Sequence, residues 1–171
     1  MKHLFVVLSF FIASTLCGCS ALQLKGKELI GQPSPEARLM LFDGSEIPLS
    51  AQLGRNTAIV FWATWCRHSK SLIERYEALA RRYSNRGDID FFAVSVDKND
   101  DFAILKSRVK SQELHSMTHF FSGNEAQDHA FVSLEGQRIP YVVFIDRLGV
   151  VRLVDGDIAP LEEYLQLEFG S

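Results

Sequence analysis

The spacing of apolar residues changes repeatedly along the chain. Ala58 to Trp62 form an unbroken apolar run, which is typical of a strand buried on both faces of a sheet. Over residues 66–83 the apolar positions instead follow a helical period, and they are Leu72, Ile73, Tyr76, Leu79, Ala80 and Tyr83. The pattern therefore predicts a buried strand followed directly by an amphipathic helix.

Similar changes of period predict the other elements. Two short strands joined by an Asp43-Gly44 turn are expected between Leu39 and Leu49. Further strands are predicted at 89–96, 117–121, 141–145 and 150–154, and further helices over Phe102 to Val109, within 124–131, and from Pro160 onward. The Asp97-Lys98-Asn99-Asp100 run is interpreted as a source of helix caps. The order β-β-β-α-β-α-β-α-β-β-α predicts one α/β domain with a mixed sheet.

Composition and charge agree with this interpretation. The chain has 171 residues, of which 47% are hydrophobic and 23% charged, as is usual for one globular domain. Its formal net charge is −3, whereas a nucleic-acid-binding protein concentrates positive charge on one face, so no nucleic-acid partner is expected. The chain has three cysteines, Cys17, Cys19 and Cys66. Because three is odd, at least one thiol has no partner within the chain.

The first residues have the pattern of an export signal. A short basic start is followed by an apolar stretch from Leu4 to Leu16, which is shorter than the ~20 residues needed to span a membrane. The Leu16-Cys17-Gly18-Cys19 run resembles a bacterial lipobox, which implies that Cys19 is lipidated and becomes the mature N-terminus. Ordinary cleavage and an uncleaved anchor are the alternatives.

This interpretation divides the chain into three parts. Residues 1–18 are expected to be a lipoprotein signal peptide, residues 19–35 the lipidated N-terminus and a tether, and residues 36–171 the folded domain. Ser20, which follows the lipidated cysteine, resembles a signal for outer-membrane sorting. The protein is therefore expected to be a periplasm-facing lipoprotein of the bacterial cell envelope, anchored in the outer membrane.

Cys66 is the strongest candidate for chemistry. It lies where the strand ending near Trp62 meets the predicted helix, and the unpaired N–H groups and positive dipole of a helix N-terminus stabilise an anion. Arg67 adds positive charge, His68 adds more when protonated, and the Ser69 hydroxyl can donate a hydrogen bond to the sulfur. These residues predict a reactive thiolate. A buried, purely structural cysteine is the alternative.

Three runs of sequence together resemble a known family. They are Phe61-Trp62-Ala63-Thr64-Trp65-Cys66, Ile139-Pro140, and Gly31-Gln32-Pro33-Ser34-Pro35 with Asp43-Gly44. They resemble the active-site motif, the cis-proline loop and the N-terminal extension of the TlpA/ResA-like extracytoplasmic thiol-disulfide oxidoreductases. The resemblance implies a thioredoxin-like fold, with a central mixed sheet flanked by helices and an N-terminal β extension. It also implies that Pro140 faces Cys66, with Trp65, Ile139 and Pro140 as substrate-binding residues, although Trp62 and Trp65 could equally serve packing.

Two departures from the family pattern change the implied chemistry. Ser69 replaces the second cysteine of the Cys-x-x-Cys motif, and Leu72 and Glu74 stand where the family usually has a glutamate and a proline. A lone thiolate stops at the mixed disulfide until another thiol arrives. The predicted function is therefore monothiol exchange: isomerisation or reduction of disulfides, or capture of thiol clients. Cys66, Arg67, His68 and Ser69 are the predicted catalytic residues, cysteine-containing envelope proteins or small thiols the expected partners, and no cofactor is expected.

Three other functions are alternatives to thiol-disulfide exchange. A degenerate thioredoxin domain that binds a partner without redox chemistry would also explain the loss of the resolving cysteine. His115, Met117 and His119 would share one face of a strand and could bind copper as in a chaperone, but the signal is weak and no metal is predicted. A peroxiredoxin would have a Pro-x-x-x-Thr-x-x-Cys motif, whereas Thr64 stands two residues before Cys66.

Overall fold

A five-stranded sheet forms the centre of the domain. The computed structural model describes residues 25–170. Its strands are β1 (Arg38–Met40), β2 (Glu46–Pro48), β3 (Asn56–Trp62), β4 (Ile89–Ser95), β5 (Thr118–Phe121), β6 (Tyr141–Ile145) and β7 (Val151–Asp155). Its α-helices are α1 (Arg67–Tyr83), α2 (Phe102–Ser111), α3 (His129–Ser133) and α4 (Ala159–Phe169). This is the element order that the sequence pattern predicts.

The sheet is mixed, as predicted. Its strand order is β5-β4-β3-β6-β7, in which β3, β4 and β5 run parallel while β6 and β7 pair antiparallel. Parallel neighbours need a crossover connection, which α1 and α2 supply, whereas the antiparallel β6–β7 pair needs only a short turn. β1 and β2 form a separate two-stranded antiparallel sheet.

Burial on both faces explains the unbroken apolar run in β3. All seven of its residues are buried. Ala58, Val60 and Trp62 pack into a core that also contains apolar residues of α1, α2 and α4. Ile59 and Phe61 pack into a second core with apolar residues of β1 and α3. Because alternate side chains of a strand point to opposite faces, a strand between two cores has no position left for solvent.

The segment 25–35 packs against the domain, although the sequence predicts a tether there. The N–H of Val151 in β7 donates to the Gln32 carbonyl at 2.9 Å. Gly26 is buried beside Tyr141, and a Cβ at this glycine would lie 1.8 Å from the tyrosine Oη. The predicted tether therefore does not include these residues. The pairing uses backbone groups, which leave no apolar pattern in the sequence.

The predicted signal peptide and the lipidated Cys19 lie outside the described residues, so export and lipidation stay predictions. Across residues 25–170, no helix combines the length and apolar character needed to cross a bilayer.

Candidate active site

The turn between β3 and α1 places Cys66 at the start of the helix. Cys66 is the N-cap residue of α1, with extended backbone angles (φ −81°, ψ 117°). Its N–H donates to the Ala63 carbonyl and its carbonyl accepts from the Lys70 N–H, both at 3.2 Å. The side chain is a half-buried free thiol that does not itself cap the helix. Cys66 is therefore partly exposed at the positive end of α1.

The beginning of α1 carries positive charge where helices usually carry negative charge. Arg67 and His68 are exposed, Lys70 follows, and the first turn contains no acidic residue. A cation at a helix N-terminus opposes the helix dipole, so this arrangement destabilises the end of the helix slightly. These exposed basic side chains and the free N–H groups of the first turn directly follow Cys66.

A loop distant in sequence meets Cys66. The Ile139–Pro140 peptide bond is cis, and the Ile139 carbonyl oxygen lies 4.0 Å from Cys66 Sγ. Phe61 in β3 is the pairing partner of Tyr141 in β6. Because the two strands are antiparallel, the residues that follow β3 and those that precede β6 lie at the same edge of the sheet. This pairing brings the predicted Ile139-Pro140 loop to the cysteine.

Asp97 anchors the active-site turn, and the sequence analysis did not identify it. Its carboxylate is fully buried and accepts hydrogen bonds from the Thr64 N–H at 3.0 and 3.1 Å, from the Thr64 hydroxyl at 2.7 Å and from the Ser95 hydroxyl at 2.7 Å. The helix-cap interpretation is wrong for Asp97, since α2 begins at Phe102 with Asp101 as its N-cap residue. The sequence did contain a signal for this contact. Thr64 follows β3, Ser95 ends β4 and Asp97 follows β4, and the carboxyl ends of neighbouring parallel strands lie close together.

Ser69 lies inside the protein and is not bonded to the sulfur. Its side chain is fully buried, and its hydroxyl has no hydrogen-bond partner within residues 25–170. The predicted hydrogen bond to Cys66 is therefore not formed, because the sulfur faces the Ile139 carbonyl instead. An unsatisfied buried hydroxyl costs about 1–3 kcal/mol. A cysteine, which behaves as a small hydrophobe, would fit this position at least as well.

The predicted substrate-binding residues differ in exposure. Trp65 is 64% exposed, whereas the other tryptophan of the motif, Trp62, is fully buried in the core. Ile139 is half-buried and Pro140 is buried. Trp65 is therefore the most exposed of the three residues predicted to bind substrate.

The sequence also shows the family to which the chain belongs. The sequence profile of the AhpC/TSA family matches residues 30–154. The chain belongs to the AhpC/TSA family. A local similarity also relates this AhpC/TSA protein to protein disulfide-isomerase 1 of Dictyostelium discoideum, with 36% identity over 50 residues. That match covers 29% of this chain and 14% of the relative.

Solved structures show the fold of this AhpC/TSA protein. A thiol-disulfide oxidoreductase from Bacteroides fragilis NCTC 9343 superposes with a TM-score of 0.69 at 16% identity, covering 80% of this chain and 99% of that one. A candidate thiol:disulfide interchange protein DsbE from Chlorobium tepidum superposes with a TM-score of 0.66 at 19% identity, covering 81% and 93%. The predicted thioredoxin-like α/β fold is thereby confirmed.

Thr64 has a structural role in this AhpC/TSA protein. It is buried, and its hydroxyl donates to Asp97 at 2.7 Å. The peroxiredoxin motif places its threonine three residues before the cysteine and a proline further upstream, and neither is present in residues 59–63. The threonine of this chain therefore holds the turn in place, and its proton is not free for a substrate.

The three residues considered for copper lie in different surroundings. β5 begins at Thr118, so the alternation of a strand does not apply to His115 and Met117. Met117 packs in the core, and His119 Nε2 lies 2.8 Å from the Leu114 carbonyl oxygen. Burial lowers the pKa of His119 below its ordinary value. Within residues 25–170, no group of three or more His, Cys, Asp or Glu side chains is placed to hold a metal ion.

Proposed function

We propose that this protein carries out thiol-disulfide exchange through Cys66 alone, as a monothiol relative of the TlpA/ResA-like oxidoreductases. The observation that carries the proposal is the meeting of a half-buried free thiol, the N-terminus of α1 and the Ile139 carbonyl, which lies 4.0 Å from the sulfur. A helix N-terminus is a common position for nucleophilic cysteines in proteins. Support also comes from the family of the chain and from the redox proteins that share its fold.

The backbone next to Cys66 is suited to an incoming peptide. Apart from the sulfur contact, the N–H and C=O of Ile139 have no hydrogen-bond partner among residues 25–170. An extended peptide can pair with such free groups as an added strand, which holds its own cysteine close to the sulfur. Exposed Trp65 offers apolar contact area beside this position.

The exchange proceeds in two balanced steps. The Cys66 thiolate attacks one sulfur of a substrate disulfide, a new S–S bond forms, and the old S–S bond breaks. The departing sulfur takes the bonding electron pair and leaves as a thiolate, so it is reduced while the Cys66 sulfur is oxidised. In the second step a thiolate of the substrate or of a small thiol attacks the mixed disulfide and releases Cys66.

Release from Cys66 depends on an external thiol because position 69 holds serine. The other cysteines of the chain, Cys17 and Cys19, precede the described residues and belong to the predicted signal peptide and lipid anchor. A hydroxyl cannot resolve a mixed disulfide, so the complex with a client persists until another thiol arrives. This chemistry is suited to isomerisation, to reduction by a small thiol, or to retention of clients.

The cellular setting in this proposal is the bacterial envelope. The apolar stretch before Cys17 supports export, and the Leu16-Cys17-Gly18-Cys19 run supports a lipid anchor on Cys19. The anchored domain would face the periplasm from the outer membrane, where cysteine-containing envelope proteins and small thiols are the partners. No cofactor is part of the proposed chemistry.

The test is to trap mixed disulfides in cells. Cells expressing the full-length protein are quenched with acid, free thiols are alkylated, and complexes are resolved on non-reducing gels. We expect adducts that disappear on reduction and are absent with Cys66→Ser, while Ser69→Ala retains them. Failure to form adducts, or their persistence in Cys66→Ser, would contradict the proposal. Partner binding that survives Cys66→Ser would favour the redox-inactive binding module.

A further inference from the structure

The surface around Cys66 is positively charged although the chain as a whole is acidic. Arg67 follows Cys66, and Arg138 precedes Ile139, whose carbonyl lies 4.0 Å from the sulfur. Both arginines are exposed, and neither forms an ion pair within residues 25–170. Neither guanidinium group is therefore paired with a carboxylate in the described part of the chain, although the net charge of the chain is −3.

The carboxylates near Arg138 are engaged elsewhere. Gly156 lies beside its guanidinium, since a Cβ at this glycine would be 3.5 Å from Arg138 Nη2. The adjacent Asp155 and Asp157 form ion pairs of 3.5 Å with a lysine of the N-terminal segment and with an arginine of α1. Neither of these two carboxylates forms an ion pair with Arg138.

The basic residues at the start of α1 run against the usual charge preference of a helix. Cations in the first turn of a helix oppose its dipole, and α1 begins with Arg67 and His68 and no acidic residue. Residues that depart from such a preference without stabilising the fold are found mainly at functional sites. An anionic group from a ligand would be stabilised by the helix end and by both arginines together.

We propose that the substrate cysteine of this site is flanked by acidic residues. The inference rests on the proposed function, because it names the peptide that Cys66 attacks. An extended peptide rises about 3.3 Å per residue, so the Cα atoms one or two residues from its cysteine lie within ~7 Å of the cysteine Cα. Arg67 is next to Cys66 and Arg138 is next to Ile139, so both long side chains can extend toward carboxylates at these flanking positions.

The test uses short peptides that differ only in flanking charge. Each contains one cysteine activated as a 2-pyridyl disulfide, and glutamates, glutamines or lysines flank the cysteine. Attack by the Cys66 thiolate forms the Cys66–peptide disulfide and expels the pyridine thiolate, which takes up a proton to give 2-thiopyridone. Its absorbance gives the second-order rate of purified full-length protein, after subtraction of the rate of Cys66→Ser.

The acidic peptide should react fastest. We expect about three- to tenfold faster reaction than the glutamine peptide at low ionic strength, and a ratio near one at ~1 M salt, because screening removes the attraction. Arg138→Gln and Arg67→Gln should each reduce this ratio, and the double variant should reduce it to the small remainder that the helix end supplies. Arg147→Gln is the matched control: its N–H bonds to Asn56 at the other end of β3, so the same charge change should leave the ratio intact.

The outcomes separate the two proposals. Absence of Cys66-dependent release with every peptide would refute the proposed function and this inference with it. Cys66-dependent release at equal rates for the acidic and neutral peptides would overturn the acidic-flank inference alone. An undiminished preference in the double arginine variant would also overturn it, since the charge would then act through other groups.

Discussion

Removal of the Asp97 carboxylate tests how the active-site turn is held. The perturbation is Asp97→Ala, which leaves the Thr64 N–H, the Thr64 hydroxyl and the Ser95 hydroxyl without their acceptor. Thr64 is 6% exposed and Ser95 is 1% exposed, so water cannot readily replace the carboxylate. Each unsatisfied buried donor costs about 1–3 kcal/mol. The substitution also removes the cost of burying the carboxylate, which offsets part of this loss. We therefore expect the free energy of unfolding to fall by about 3 kcal/mol.

Urea unfolding followed by far-UV circular dichroism at neutral pH measures this loss. Asp100→Ala is the control: this carboxylate is exposed, its ion-pair partner Lys98 is 4.0 Å away, and its removal should change stability by less than about 0.5 kcal/mol. Asp97→Asn keeps one acceptor oxygen and should lose about 1–2 kcal/mol. In this variant we also expect slower alkylation of Cys66, because its turn is less firmly held. A loss below about 1 kcal/mol in Asp97→Ala would refute the anchoring role.

Three further predictions concern single side chains. Ser69→Ala should leave the free energy of unfolding unchanged or raise it by up to about 1 kcal/mol, because the buried hydroxyl has no partner within residues 25–170; a clear loss in urea unfolding would contradict this. Burial lowers the pKa of His119, so its contribution to stability is present above the ordinary value of about 6.5 and is lost as pH falls below it. His119→Gln should therefore weaken the decline in urea midpoint between neutral and mildly acidic pH, and an unchanged decline would disprove the assignment. Gly26→Ala should lower stability by about 1–3 kcal/mol through overlap with Tyr141, whereas the open Gly87 site should tolerate alanine; equal melting temperatures of the two variants would refute the packing argument.

The elements of this fold could be predicted because each carries its own periodicity. The helix expected over 66–83 is α1 at Arg67–Tyr83, and the strand expected at 141–145 is β6 with the same bounds. In both cases the burial of a residue depends on its position within one helix or strand. The position of Cys66 at the start of a helix could be predicted for the same reason, because the prediction needs only the local succession of a strand and a helix.

Parts of the site could not be predicted because they depend on which strands pair. Asp97 and Thr64 are 33 residues apart, and Ile139 and Cys66 are 73 residues apart. The parallel pairing of β3 with β4 joins the first pair, and the antiparallel pairing of β3 with β6 joins the second. The resemblance to a family indicated that Ile139 and Cys66 lie close together. No local pattern distinguished Asp97 from a helix cap.

By itself, the sequence determined the element order, the α/β class and the position of one cysteine at a helix start. Only the tertiary structure decided that residues 25–35 join the sheet edge, that Asp97 holds the turn, and that Ser69 is buried away from the sulfur. The physical reason is that the sequence pattern reflects the preference of each residue for core or solvent. Partners distant in the chain are chosen by backbone pairing and packing, which no single segment encodes.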